Sequence, residues 1–428
     1  MHRSRVRMLL VADPAGRAIG VLEPRSIALR TDARSVEVMH APLVSLRESA
    51  SIYDALALHF EYGVRFLAVL DSQGALRGAV DVDDLLHEQY SAPVFLITRL
   101  KTAASGPEIA RCHSALTVYL RAMIAQGSST WTVMRTAAAV SDSLLRRLVE
   151  LAIQELGTPP AAFVFLSLGS EGRREQTLAS DQDNALLWDD GDPDNYDEHH
   201  RYFLQLGERV CSALDAAGYP YCRGNVMAKN PKWCQPLSRW KEYFSEWVTA
   251  AEPQNLLDVS IFFDFRAVAG DASLADALRA HLFRVSTGNH SFLAYLSINA
   301  LKTKPPIWQL KAQEPLDTKL SLLPVVDLAR VYALKHKVHD TNTLDRLLRI
   351  HEAGSITTGG YRELTQAYTL VMGLRLREQA TQLAVNVPAN NLVPTSTLTE
   401  LERVSLRRAL TSIEEIQAKL SLDFKGTL

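Results

Sequence analysis

Phe163-Val-Phe-Leu-Ser-Leu-Gly-Ser-Glu-Gly-Arg-Arg-Glu-Gln-Thr-Leu-Ala-Ser-Asp-Gln-Asp-Asn-Ala-Leu-Leu187 joins two apolar runs through a short polar connection. The first run, Phe163 to Leu168, ends in Gly169-Ser170. The second opens with Ser180-Asp181-Gln182-Asp183 and continues Ala185-Leu186-Leu187. Side chains two apart on a strand point the same way, so a strand over 181–187 sets the carboxylates of Asp181 and Asp183 side by side. Adjacent carboxylates at the edge of a buried sheet repel unless a cation lies between them. A Gly-Ser turn after an apolar strand offers backbone N–H groups and a hydroxyl to an anion. Together these are the parts of metal-assisted phosphoryl or nucleotidyl transfer. Gly-Ser pairs and Asp-x-Asp triplets are each common in loops; their combination in this order is the specific signal.

The order Gly-Ser-x-Gly-Arg-x-Glu (169–175), then Ser-Asp-x-Asp-Asn (180–184), resembles the nucleotidyltransferase superfamily built on the polymerase-beta palm. Within it, the segment is similar to the uridylyltransferase part of the enzymes that modify the PII signalling protein. It is more similar still to the nucleotidyltransferases coupled to CBS domains known as domain of unknown function 294, over nearly the whole chain. The fold class this implies is α/β plus α: a CBS-like N-terminal module, a polymerase-beta-like mixed sheet and a C-terminal helical bundle. The corresponding segments are 1–92, 93–285 and 286–428. The resemblance implies one or two Mg2+ ions, a nucleoside triphosphate as substrate, and a protein hydroxyl as acceptor. Mg2+ suits an all-oxygen carboxylate site that also meets phosphate. Gly169 and Ser170 would clasp the β and γ phosphates, and Arg173 or Arg174 would neutralise charge developing there. Ser180 joins them as a nucleotide-binding candidate.

A two-metal site usually calls for a third carboxylate. Leu256-Leu-Asp-Val-Ser-Ile-Phe-Phe-Asp-Phe-Arg266 reads as a strand, with Asp258 and Asp264 on one face. The family pattern Phe-Asp-x-Arg matches Phe263 to Arg266, which makes Asp264 the expected third ligand and Asp258 the runner-up. The alternative is a surface pair between Asp264 and Arg266. Gly224 to Lys241 lacks a clean period and concentrates Asn, Lys, Trp and Gly, as a site-lining loop does. Lys229, Asn230, Trp233, Arg239, Trp240 and Lys241 are its candidates for phosphate or base contacts, against core packing for each Trp.

Length and composition bound the rest. A chain of 428 residues is too long for one ordinary core, and two to four domains are expected. With 46 Lys+Arg against 48 Asp+Glu there is no general polyanion-binding field, so nucleic acid is not the expected main partner. No apolar run is long enough to span a membrane, and the basic start Met1-His-Arg-Ser-Arg lacks a signal-peptide core. Cys112, Cys211, Cys222 and Cys234 show no Cys-x-x-Cys pairing and read as reduced thiols of a cytoplasmic protein.

The N-terminal region repeats. Val6 to Leu22 and Val64 to Val80 are each an apolar strand, an Asp-x-x-Gly turn and a second apolar strand. Between them, 42–60 reads as a short strand and an amphipathic helix. This resembles a CBS pair whose first copy lacks its opening elements. Such pairs usually bind adenine nucleotides through a Thr and an Asp. Here those places fall on Asp81 and Asp84 in the second copy, and on Glu23 and Ser26 in the first. An acid in the hydroxyl's place repels an anionic ligand, which favours a docking or dimerisation module, and a homodimer is expected.

Residues 93–157 read as helical, with Leu144, Leu148, Leu151 and Leu156 along one stripe and Gly157 as the stop. A helix over 197–217 ends at Gly218. From about 286 the pattern is helical to the end: one helix opening at Pro324, others over 343–351 and 361–383, and a last one capped by Thr399 and Glu402. Four helices of this length pack as a bundle. His336 and His339-Asp340 lack the companions of a metal phosphohydrolase site. Two other classes are compatible with the motif: a regulatory protein that senses a nucleotide without turnover, and a small-molecule transferase of the same fold.

Overall fold

The computed structural model describes residues 8–13, 18–22, 43–82, 92–249, 260–312 and 314–425. The chain divides into two compact units, Met1–Leu96 and Ile97–Leu428.

The first unit holds an antiparallel pair, β1 (Leu9–Ala12) and β2 (Ala18–Leu22), and a three-stranded sheet. In that sheet β3 (Ser45–Arg47) runs parallel to β4 (Phe66–Leu70), which pairs antiparallel with β5 (Leu76–Asp81). Both hairpins fall where the sequence repeat put them. Helix α1 (Ile52–Tyr62) starts at a capping box: Ser51 Oγ accepts from the Asp54 N–H, and Asp54 accepts from the Ser51 N–H. Gly63, in the left-handed region, ends it. Leu46, Ala55, Leu56, Leu67 and Val82 form the small core. Asp81 is bound by both arms of the Arg65 guanidinium, at 3.0 and 2.8 Å. Glu23, Ser26 and Asp84 lie outside the described residues.

In the chain that follows, α2 (Ala92–Thr102), α3 (Gly106–Ala125) and α4 (Thr130–Leu156) lead to a four-stranded sheet. Its strands are β6 (Phe163–Ser167), β7 (Asn184–Trp188), β8 (Cys234–Pro236) and β9 (Arg266–Gly270), in the order β8-β7-β6-β9. β6 pairs antiparallel with β7 and β9, and β7 pairs parallel with β8, so the sheet is mixed. β6 and β7 are buried along their whole length, which explains why they read as unbroken apolar runs. α4 packs on β9, and α6 (Tyr196–Ala217), which follows the short turn α5 (Gly169–Gly172), packs on β7 and β8. α7 (Leu237–Thr249) and α8 (Ala272–Ser286) pack on each other and on the sheet.

Two expectations for this region are corrected. The stretch after Lys229 is no open loop: a 3-10 turn, β8 and α7 organise it, and Trp233 and Trp240 are buried in the core. Trp240 donates its indole N–H to the Leu186 carbonyl at 3.2 Å. Ser260–Asp264 forms a 3-10 turn, and the strand begins only at Arg266; Asp258 lies outside the described residues.

The C-terminal helices are α9 (His290–Lys302), the short α10 (Ile307–Ala312), α11 (Thr318–His336), α12 (Thr343–Glu352), α13 (Thr358–Ala384) and α14 (Glu400–Lys425). α9, α11, α13 and α14 pack as a bundle with α12 against α11 and α13. Two short strands, β10 (Leu316–Asp317) and β11 (Leu392–Val393), pair antiparallel beside it. α11 starts before Pro324, which sits inside the helix; Asp317 caps it, accepting from the Leu320 N–H at 3.0 Å. The Thr399–Glu402 capping box forms as the sequence predicts. No described helix is long and apolar enough to cross a membrane.

Candidate nucleotidyl-transfer site

The turn after β6 and the approach to β7 are built against each other. The Leu168 N–H donates to the Asp183 carbonyl at 2.9 Å. Gly169 has φ +55, and a Cβ there would stand 2.9 Å from Ile261 and 3.3 Å from Asp183 Oδ2. Gly169 is therefore the residue that lets the turn close over the carboxylate. Gly172 is needed for a different approach: a Cβ on it would sit 1.8 Å from the Asp264 carbonyl oxygen. The N–H groups of the first turn of α5 have no acceptor within their own helix, and Ser170 is half-buried among them.

Alternation sorts residues 181–184, which lead into β7. Gln182 and Asn184 point inward. Gln182 Nε2 donates to the carbonyls of Cys211 and Tyr219, both at 3.0 Å, and Asn184 Oδ1 accepts from the Ala228 N–H at 2.8 Å. Gln182 also forms a parallel bridge with Tyr221. These bonds pin the 219–228 segment beside the strand and carry Cys222 to the opposite, acidic side. There Asp181, Asp183 and Cys222 bring ligand atoms within 4.8 Å of one another, and Asp181 is the most open to solvent. Among the described residues this is the one cluster of three such groups.

The electrostatics of the cluster are those of a site short of positive charge. Burial, then the Asp181 charge, pushes the Asp183 carboxyl up to about 6, against the Cys222 hydrogen bond and the charges of Lys319 and Arg173. Glu171, from α5, is 7% exposed and accepts one hydrogen bond from Gln176 Nε2 at 3.3 Å. Burial and then Asp183 push its carboxyl up to about 8. Burial, then the hydrogen bond and charge of Asp183, raise the Cys222 thiol to about 11.

Asp264 is placed differently from the third metal ligand that the sequence suggests. Its carboxylate, fully buried, accepts from Arg173 Nη1 at 2.7 Å, Arg330 Nη2 at 2.6 Å and Arg346 Nη1 at 2.6 Å. Burial alone would raise this carboxyl, but Arg330, Arg346 and Arg173 outweigh it and hold it well below the carboxylate range. Three guanidinium groups occupy the lone pairs a metal would need. Nor does Asp264 pair with Arg266, which forms two bonds to Asp142 at 2.7 and 2.8 Å.

Arg173 is spent in the same network, donating to Glu175 at 2.7 Å as well as to Asp264. The C-terminal helices close over this connection. Thr341 donates to the Gly172 carbonyl at 2.8 Å and Asn342 to that of Arg173 at 3.0 Å. The Thr343 N–H donates to Glu175 at 2.6 Å, and Gln379 accepts from the Leu178 N–H at 3.1 Å.

The other candidates separate. Arg174 is half-buried at φ +56. Ser180 accepts from the Thr177 N–H at 2.9 Å and lines a polar cavity of about 30 Å3 with Gln176 and Tyr219. Lys229 stacks on Tyr221, its Nζ 3.7 Å from the ring centre, next to the acidic cluster's Cys222 in sequence. Asn230 caps the 3-10 turn, Arg239 pairs with Glu242 and Glu246, and Lys241 lies by His281 of α8. His336 bonds Ser355 and His339 packs on Phe283, apart from the acids. Glu171, Cys222 and Lys319 were not singled out in the sequence. Only Glu171 carries a local signal, its place inside the Gly-Ser-x-Gly turn.

The acids fit a divalent cation: two carboxylates and a thiol converge, a third acid is buried behind them, and a glycine leaves room over Asp183. Family comparison agrees with the site. The family described as "Putative nucleotidyltransferase DUF294" matches residues 114–254, which include the turn and both aspartates. "Putative nucleotidyltransferase substrate binding domain" matches 290–424, the helical bundle, and a CBS domain matches 34–91. No curated protein matches the chain. Together along the chain, the three matched segments give it the domain composition of a CBS-coupled nucleotidyltransferase of the DUF294 type.

Proposed function

We propose that the protein moves a nucleoside monophosphate from a nucleoside triphosphate to a hydroxyl on a protein acceptor, in a divalent-metal-dependent reaction supported by Mg2+. The observation that carries the reading is the approach of the Gly169 turn to Asp183, beside Asp181. In the transfer, the acceptor oxygen bonds to the α-phosphorus, the bond from that phosphorus to the α–β bridging oxygen breaks, and pyrophosphate leaves. The acceptor proton passes to water. Asp181 and Asp183 would hold the divalent ion, which would supply charge for the phosphates and acidify the attacking hydroxyl. The N–H groups of Gly169 and Ser170 and the Ser170 hydroxyl bind phosphate oxygens. Lys319, whose charge acts on Asp183, and Lys229, stacked on Tyr221 next to Cys222, add positive charge toward the triphosphate. The α11 and α12 segments that brace the connection belong to the matched substrate-binding region, which supports an acceptor lying over the same face. The protein acceptor follows the likeness to PII-modifying enzymes.

The test is calorimetric titration with ATP, UTP, GTP and CTP, with and without Mg2+, followed by labelled-nucleotide transfer in cell extract. Mg2+-dependent binding and transfer, both lost in Asp181→Asn/Asp183→Asn, are expected. Binding that survives the double substitution overturns the site. Binding without pyrophosphate release turns the protein into a nucleotide sensor.

A further inference from the structure

The group that lies beside Asp181 and Asp183 is a thiol and not a third carboxylate. Asp264, the acid expected there, is saturated by Arg173, Arg330 and Arg346. Cys222 instead completes the cluster, its Sγ within 4.8 Å of the ligand oxygens of both Asp181 and Asp183. It is not in a disulfide, and it is the one half-exposed cysteine; Cys112, Cys211 and Cys234 are buried. Its position is set rather than incidental. The Gln182–Tyr221 bridge and the two Gln182 amide bonds fix the preceding segment, and the Asn225 N–H donates to the Cys222 carbonyl at 3.0 Å.

We propose that Cys222 is a metal ligand, so that Asp181, Asp183 and the Cys222 thiolate form a mixed oxygen–sulfur site that prefers borderline divalent ions (Co2+, Zn2+) to Mg2+ in the nucleotide-free protein. This rests on the metal-site reading above and specifies the donor set. Carboxylates alone suit a hard ion, whereas one thiolate shifts selection toward softer ions, which bind sulfur at little cost in desolvation. Binding exchanges the thiol proton for the metal–sulfur bond, so one proton is released per ion bound and no oxidant is needed. Mg2+, which does not use the sulfur, is held by the two carboxylates and, once nucleotide is present, by phosphate oxygens.

The experiment is Co2+ titration of the purified full chain, followed by absorption spectroscopy, with Zn2+ and Mg2+ affinities by calorimetry. Wild type is expected to show a thiolate-to-cobalt charge-transfer band in the near ultraviolet. Cys222→Ser should lose that band and about tenfold or more of its Zn2+ affinity, with Mg2+ affinity unchanged. Cys222→Asp, an all-oxygen variant, should narrow the gap between Zn2+ and Mg2+. No band in wild type, or a band that persists in Cys222→Ser, overturns the proposal. Co2+ binding unaffected by Asp181→Asn/Asp183→Asn overturns the metal-site reading itself, and the two failures are thereby distinguished. Circular dichroism of each variant separates loss of ligand from loss of fold.

Discussion

Two buried acid sites sit on either side of the 169–175 connection and solve the same electrostatic problem in opposite ways. At Asp264, one carboxylate meets three guanidinium groups, and its charge is held firmly. At Asp183, the neighbours are two more acids and a thiol, and the carboxyl is pushed up instead. Burying a charge is tolerated when it is paired and costs several kcal/mol when it is not. The first site is thus complete within the chain and behaves as a structural junction, joining the 169–175 connection to α11 and α12. The second leaves Asp183 raised by burial and by Asp181, a setting that the proposed cation would relieve.

The contrast can be broken most directly at Asp264. Asp264→Asn leaves three buried arginines short of a counter-charge, and a loss of about 3–5 kcal/mol in denaturant unfolding is expected. Asp183→Asn in chelator should do the opposite, gaining on the order of 1 kcal/mol by removing repulsion while abolishing metal binding. Equal destabilisation by both would erase the distinction.

The pH signatures differ next. Glu171 rises from 4.5 to about 8 on folding, so the native state binds its proton more tightly than the unfolded chain. Metal-free stability should therefore fall as pH climbs through that window, by about 1.4 kcal/mol per unit at most. Glu171→Gln should flatten the slope, and metal should offset it, which melting curves in chelator and in Mn2+ would check. The Asp264 carboxyl, held low, contributes stability above the unfolded carboxylate range and loses it only in strong acid. Smallest of all is Arg239→Ala. Its exposed pairs with Glu242 and Glu246 are worth about 0–1 kcal/mol, and nucleotide affinity should not change.

Much of the β8-β7-β6-β9 sheet was legible because its signals are local. The apolar runs at 163–168 and 185–187 became β6 and β7, and the period of two put Asp181 and Asp183 together with Gln182 and Asn184 turned inward. The Trp-rich segment was harder. Trp233 and Trp240 look alike for stacking a base and for filling a core, and only their burial decides. Asp264 misled for a similar reason: the Phe-Asp-x-Arg pattern marks a buried acid without saying which charges surround it.

The sequence by itself determined the helix cap at Thr399, the Gly-Ser turn and the face shared by the paired aspartates. Each follows from backbone preferences and periodicities that span a few residues. Only the tertiary structure decided which acid is neutralised and which is left open. Arg330 and Arg346 reach Asp264 from helices more than sixty residues further along the chain, and Cys222 reaches Asp183 through a bridge made by Gln182. Charge compensation depends on distance in space, and no local pattern in the chain records it.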